Sequence, residues 1–499
     1  MRSNNASAGM TAPTAPSSCC DAAAAEISTA RIDASCRLPL FTLFGGAALW
    51  LVVASVFGLI ASLTFHAPKM FADCAAFAYG RALPLSHSAL VYGFAIPAGL
   101  GVMLWLLARL GRVPLARPWI LVVAAKVWHF GVLVGLMGIQ AGGGNGFAWL
   151  ELPHYAAVIL LGAFLLIAVG AILTHQARTE RALYPSQWFV LAALFWFPWI
   201  YSTANLLLLV FPVRGVVQAG IAWWFSGNLL VVWLALTGLA ASFYFLPKLS
   251  GRPLQSHYLA LFVFWTLILF GSWVGIPGGA ALPAWMPTLS AAATMLLVVP
   301  ILAVATSAWL TVRGAKTDFS GGPFCFIRFG VAALVLSGIL LAATAIPLVA
   351  RVTSFTWFGP AQNDLQLYGF FAMTMFGAAY YILPRVAGMA SLCPRRVKTH
   401  FWFSLLGALL LALPLAVGGV VQGLKLGNPA IPFLDVSKSA LMFLRISTLG
   451  EGLLVLGSLN FLFNVMALIV RFYFTAGKAA YAEAIAMQPA GVKSSNRAR

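Results

Sequence analysis

Stretches of about 20 apolar residues recur along almost the whole chain, and each is long enough to cross a bilayer as a helix. Twelve spans are expected, over 40–65, 86–110, 119–139, 154–173, 188–213, 221–246, 258–274, 286–312, 326–348, 364–383, 401–421 and 441–474. The runs are continuously apolar rather than alternating, which favours helices over a barrel. With 62% hydrophobic and 8% charged residues, the chain has too little polar surface for a soluble fold. The expected class is an all-α polytopic membrane protein of about twelve transmembrane helices in one membrane domain, 38–475. Residues 1–37 are rich in Ala, Ser, Thr and Pro and read as a disordered cytoplasmic tail. They lack a basic segment leading directly into a short apolar core, so no cleaved signal peptide is read. Residues 476–499 read as a basic cytoplasmic tail.

The net charge of +19 does not point to nucleic acid, because the Lys and Arg lie in short loops between apolar runs. There they set topology. Loops after even-numbered spans carry clusters such as Arg109, Arg112 and Arg117, or Arg385, Arg395, Arg396 and Lys398. Loops after odd-numbered spans are sparser. Both termini are therefore expected in the cytoplasm and the protein in the inner membrane, with the Asp364 end of span ten outward. The six cysteines form no CxxC pair and no zinc-type spacing. No phosphate-binding, nucleophile-elbow or HExxH motif is present.

Polar residues inside spans are costly and so informative. Lys126 and His129 are three apart in span three and share a helix face, as a relay or as groups satisfied at a helix contact, with Lys126 snorkelling. The helix-contact reading is favoured. Asp364 and Tyr368 share a face in span ten, with Gln362, Asn363 and Gln366 near enough to satisfy the carboxylate. Asp364 marks either a proton- or anion-linked site or a helix start favoured by the dipole. Glu451 is expected to pair with Arg445 or with an inward Ser or Asn. Asn205, Gln218, Asn228, Asn460 and Asn464 read as interhelical hydrogen-bond donors and acceptors.

Several segments, in order, carry a family likeness: GRALPLSHSALVYGF at span two, FYFLPKLSGRPLQSHYLALFVFW at the sixth-to-seventh turn, FGAAYYILPR in span ten, THFWFSLLGALL opening span eleven, and LRISTLGEGLLVLGSLNFLFNV in span twelve. Together they resemble subunit I of the haem–copper oxidases, especially the cbb-type branch. The resemblance implies a twelve-helix bundle holding two haems and a copper on six histidines. Carried over residue by residue, that ligand set fails. The copper histidine of span six falls at Gly227, beside a retained Asn228, and the paired copper histidines fall near 277–279, where there are none. The active-site tyrosine falls at about Gly271, the high-spin haem ligand at Gln362, and the two low-spin ligands at Ser86 and Asp364. His87 is one residue from Ser86, a turn of about 100° on a helix.

The reading is a divergent cytochrome c oxidase subunit I homologue: a membrane subunit of a respiratory electron-transfer complex without a working oxygen-reducing centre. By lineage it is a terminal oxidase; by its residues it is not catalytic alone. Neither copper nor a bis-histidine haem is expected. One alternative keeps a single haem near His87 with a non-histidine partner. Another is a transporter or small-molecule binder using the emptied cavity around Gly227, Gly271, Gln362 and Asp364. The expected partners are the lipid bilayer and other respiratory subunits.

Overall fold

The computed structural model describes residues 19–71, 73–315, 322–389 and 392–486, with side chains from 28 to 483. Twelve apolar helices account for the expected spans: α1 Cys19–Leu63, α2 Tyr79–Gly111, α3 Pro118–Gln140, α4 His154–Gln176, α5 Pro185–Val210, α6 Val216–Ser250, α7 His257–Gly271, α8 Trp285–Val312, α9 Pro323–Thr344, α10 Phe358–Ala387, α11 Pro394–Leu426 and α12 Phe433–Ala486. Eleven are long and apolar enough to cross a membrane; α7 is shorter.

Burial separates three helices from the rest. The most apolar stretches of α2 and α10 are entirely buried and that of α6 is 89% buried, against 39–56% in the other nominated spans. The three pack on one another at the centre, and the remaining helices surround them. A helix apolar all round suits that position. Large rings fill the centre: Trp105, Trp233, Tyr92, Phe94 and Phe245 are all buried. Around the edge, Phe195, Trp265, Trp309 and Leu336 are exposed and present an apolar belt.

Each central helix contains a π-helical stretch: Ala89–Ala95 in α2, Asn228–Trp233 in α6 and Leu365–Ala372 in α10. A fourth, Leu206–Val210, closes α5. Such widened turns recur at functional positions. Here each central one begins at, or within three residues of, a position aligned with a family ligand: Ser86, Gly227 or Asp364.

The sequence expectation for the termini needs correction. Residues 19–37, expected to be disordered, belong to α1. Their helix is anchored because Asp33 accepts from Trp105 Nε1 at 3.2 Å and pairs with Arg109 at 3.5 Å. Arg37 Nε also donates to the Val386 carbonyl at 2.9 Å. Residues 1–18 lie outside the described residues, as does the segment after 486; α12 runs eleven residues past the expected end at 475.

Candidate functional site

Span ten begins earlier than expected. The helix starts at Phe358, and Asp364 sits at its first π-helical turn, so the helix-start reading of Asp364 is wrong. Gln362 and Asp364 are two residues apart, about 200° round the helix, and serve opposite faces. This makes two sites out of one stretch of α10.

On the first face Gln362, Asn363 and Gln366 line a cavity of about 240 Å³ with Gly227, Ser226, Trp223 and Trp149. Apolar walls come from Leu230, Leu267, Ile301 and Leu334. Neither Gly271 nor Asp364 reaches it, which corrects the expected outline. Gly271 instead packs on Val232, leaving 2.9 Å for an added Cβ. Gln366 Nε2 donates to the Leu230 carbonyl at 3.3 Å. The side-chain amides of Gln362 and Asn363 make no hydrogen bond among the described residues.

The wall at Gly227 is closed by backbone. A Cβ there would run into the Val274 carbonyl oxygen and lie 3.0 Å from Gly275 Cα. Gly275 has φ +122°, a conformation suited to glycine, and its missing side chain in turn admits the Trp223 carbonyl. Asn228, fully buried, ties this junction together. Its amide donates to the Trp224 carbonyl at 2.9 Å and the Ser272 carbonyl at 3.2 Å, and its oxygen accepts from Trp196 Nε1 at 3.1 Å. The expected interhelical role of Asn228 is the one it has.

On the second face Asp364 lies within electrostatic reach of His87 and Glu451. Tyr368 is buried beside both carboxyls. Ser86 points the other way from His87: its hydroxyl donates to the Ala54 carbonyl at 2.8 Å. A Cβ added at Gly58 would sit 3.1 Å from Ser86 Oγ and 3.2 Å from Glu451 Oε2, so these two oxygens flank one glycine. The expected pairing of Glu451 with Arg445 is not formed. Arg445 lies on the exposed side of α12, and Glu451 Oε2 is buried with no hydrogen-bond partner. Nor do Gln362, Asn363 or Gln366 hydrogen-bond Asp364.

His87 is engaged already. Its ring stacks on Trp149 with centroids 4.3 Å apart, and Nδ1 lies 3.6 Å from Glu151 Oε1. Glu151 also accepts from Ser88 Oγ at 3.2 Å and the Trp149 amide at 3.0 Å. That amide belongs to a tryptophan at φ +67°, a conformation uncommon for a bulky residue and held here by its contacts. Glu151 was not singled out from sequence, since it reads there as an ordinary loop carboxylate.

The other intramembrane candidates lie apart. Lys126 is exposed on α3, turned to the lipid side. His129 turns inward, accepting from Trp50 Nε1 at 3.2 Å on Nδ1 with Nε2 3.2 Å from the Thr42 carbonyl. The shared face does not give them a shared partner. Asn205 bonds only within its own helix, to the Tyr201 carbonyl. A cluster the sequence did not reveal joins α10, α11 and α12: Tyr380 Oη is 2.9 Å from His400 Nδ1 and accepts from Asn464 Nδ2 at 3.0 Å. His400 is fully buried, six residues inside α11, among Phe326, Phe376 and Phe461. No local pattern marks this cluster; its members are 20 and 84 residues apart.

Three buried helices, each widened by a π-helical turn and flanked by internal polar faces, define a multi-span membrane protein with polar groups enclosed at its centre. A family model described as Cytochrome C and Quinol oxidase polypeptide I matches residues 40–453. The chain belongs to that family. It is 26% identical over 452 residues to a cytochrome c oxidase subunit 1 homolog of Azorhizobium caulinodans, covering 85% of this chain and 80% of that one. It is 26% identical over 470 residues to the bacteroid subunit 1 homolog of Bradyrhizobium diazoefficiens, covering 89% and 83%. The cbb3-type subunit CcoN1 of Stutzerimonas stutzeri is 24% identical over 389 residues, covering 75% and 81%. A heme-copper terminal oxidase solved as a dimer by cryo-EM has the same fold, with TM-score 0.68 at 16% identity over 87% of this chain and 84% of that one.

Among the described residues no three His, Cys, Asp or Glu side chains converge as metal donors. Where the resemblance would put the ligands, the chain has an amide at Gln362, a glycine at Gly227, a hydroxyl at Ser86 and a carboxyl at Asp364. Imidazole is the common ligand of both haem iron and copper, and none stands at these four positions.

Proposed function

We propose that this chain is a structural or auxiliary membrane subunit of a bacterial respiratory electron-transfer complex, built on the subunit I scaffold and without a working haem–copper centre. The observation that carries the reading is the junction at Gly227, where backbone occupies the space a copper-binding side chain would need. His87 Nδ1 faces Glu151, which leaves Nε2 as the nitrogen a single retained haem would use. The test is purification from a haem-replete host, followed by a reduced-minus-oxidised spectrum and iron and copper assays. The expected protein is colourless, with both metals far below one per chain, and co-purifies with other respiratory subunits. A Soret band abolished by His87→Ala would overturn the reading in favour of one haem.

The cavity at Gln362 favours a second reading, that of a small-molecule binder, which is compatible with a subunit role.

We place the chain in the inner membrane with both termini in the cytoplasm, on the charge bias of its loops. Two exposed cysteines test this: Cys74 in the loop after α1 and Cys393 in the loop before α11. Backbone hydrogen bonds from Arg396 and Arg395 lower the Cys393 thiol below its ordinary pKa, so its thiolate persists to lower pH than that of a free thiol. In single-cysteine variants an impermeant maleimide is expected to label Cys74 on intact spheroplasts and Cys393 only on inverted vesicles. Labelling of Cys393 should decline less steeply than that of free glutathione as pH falls from 8 to about 7. The reverse sidedness would invert the topology.

A further inference from the structure

The cavity on the Gln362 face has a chemistry that narrows what it could hold. Among the residues lining it, none is charged. A charged ligand would be stripped of water there without a counter-charge, at a cost of several kcal/mol. The occupant is therefore uncharged. The cavity is also not simply apolar. Ser337 is 3% exposed and lines the space, and its hydroxyl has no hydrogen-bond partner among the described residues. Gln362 and Asn363 add two amides with donors and acceptors uncommitted, and the Gln366 amide oxygen is likewise open. Filling this space with hydrocarbon would leave those groups unpaired, at about 1–3 kcal/mol for a buried one. The opposite walls, Leu230, Leu267 and Leu334, ask for an apolar body.

We infer that this cavity binds a small uncharged molecule with an amide- or alcohol-like head against Gln362, Asn363 and Ser337 and a short apolar body against the leucine wall. The inference rests on the second reading above and names its ligand class. The volume, about 240 Å³, matches about eight water-sized units, and so a molecule of about eight non-hydrogen atoms.

Three probes of that size separate the possibilities: hexanamide, ethylbenzene and hexanoate. Binding is measured by equilibrium dialysis against the full chain in nanodiscs, with empty nanodiscs subtracting partition into lipid. Saturable, one-to-one binding of hexanamide is expected, at least about tenfold tighter than that of either other probe. Ser337→Ala combined with Gln362→Leu should weaken hexanamide about tenfold or more and strengthen ethylbenzene. Ala235→Leu, which fills the cavity, should abolish both. Elution as a single species and an unchanged circular dichroism spectrum establish that each variant is folded; if the double variant fails that check, Gln362→Leu alone carries the same comparison. Ethylbenzene binding as tightly as hexanamide would overturn the polar-head inference while leaving a cavity binder. Tighter binding of hexanoate would overturn the neutral-ligand argument. No saturable binding of any probe would sink both the inference and the second reading.

Discussion

Gly227→His is expected to yield a less stable protein that still binds no copper. The substitution restores the residue that the family resemblance expects at this position. In this fold the imidazole has nowhere to go. Its Cβ alone meets the Val274 carbonyl and approaches Gly275 Cα to 3.0 Å. Relief requires residues 272–275 to move away from α6, which pulls on the Asn228 bond to the Ser272 carbonyl. Overpacking of this kind costs about 1–3 kcal/mol and more when backbone must shift. The expected result is an apparent melting temperature several degrees lower in detergent, with a copper content unchanged from the parent. Stoichiometric copper and an unshifted melting temperature would show that the junction is pliable and the site recoverable.

Gly419→Val is expected to be at least as damaging, and for a related reason. A Cβ at Gly419 in α11 collides with the Phe358 amide and lies 2.9 Å from Phe358 Cα and from the Trp357 carbonyl carbon. This is the first turn of α10, the turn that presents Gln362 and Asp364 to their two faces. It is held to α11 by the Trp357 amide, which donates to Gln422 Oε1 at 3.1 Å. Close backbone approach at small residues is how membrane helices gain contact without a hydrophobic driving force. A valine removes that contact along with the hydrogen bond. A loss of about 3 kcal/mol or more is expected, read as a lower melting temperature and faster proteolysis near 354–358. Gly359→Ala is the control: nothing lies within 4 Å of its added Cβ, and it should be nearly neutral. Equal damage from both would mean that the turn is sensitive to any change, not to the contact with α11.

The helical membrane class and the family were both legible before any fold was known, but the division of labour between residues was not. His87 could be placed near a family position by counting. Its engagement by Trp149 and Glu151 depends on a loop 62 residues further on, folding back over α2. Glu451 lost its expected partner because Arg445 lies on the opposite side of α12, while the residues near it, Ser86 and Asp364, come from α2 and α10. Lys126 and His129 illustrate the same gap. Sequence places them on one face of one helix, but only the position of α1 shows which of the two is inside.

What the sequence by itself determined is the membrane-spanning helical class and the family, because apolar run length and the order of local motifs are properties of the chain alone. Which three helices form the centre was decided only by tertiary packing: in a bilayer a face against lipid and a face against protein are equally apolar, so hydropathy does not distinguish α2, α6 and α10 from their neighbours. The same holds for the two faces of α10. The sequence reading groups Gln362 and Asp364 around one cavity, but the packing of α6 and α9 against one face, and of α2 and α12 near the other, made one a neutral cavity and the other a carboxyl cluster.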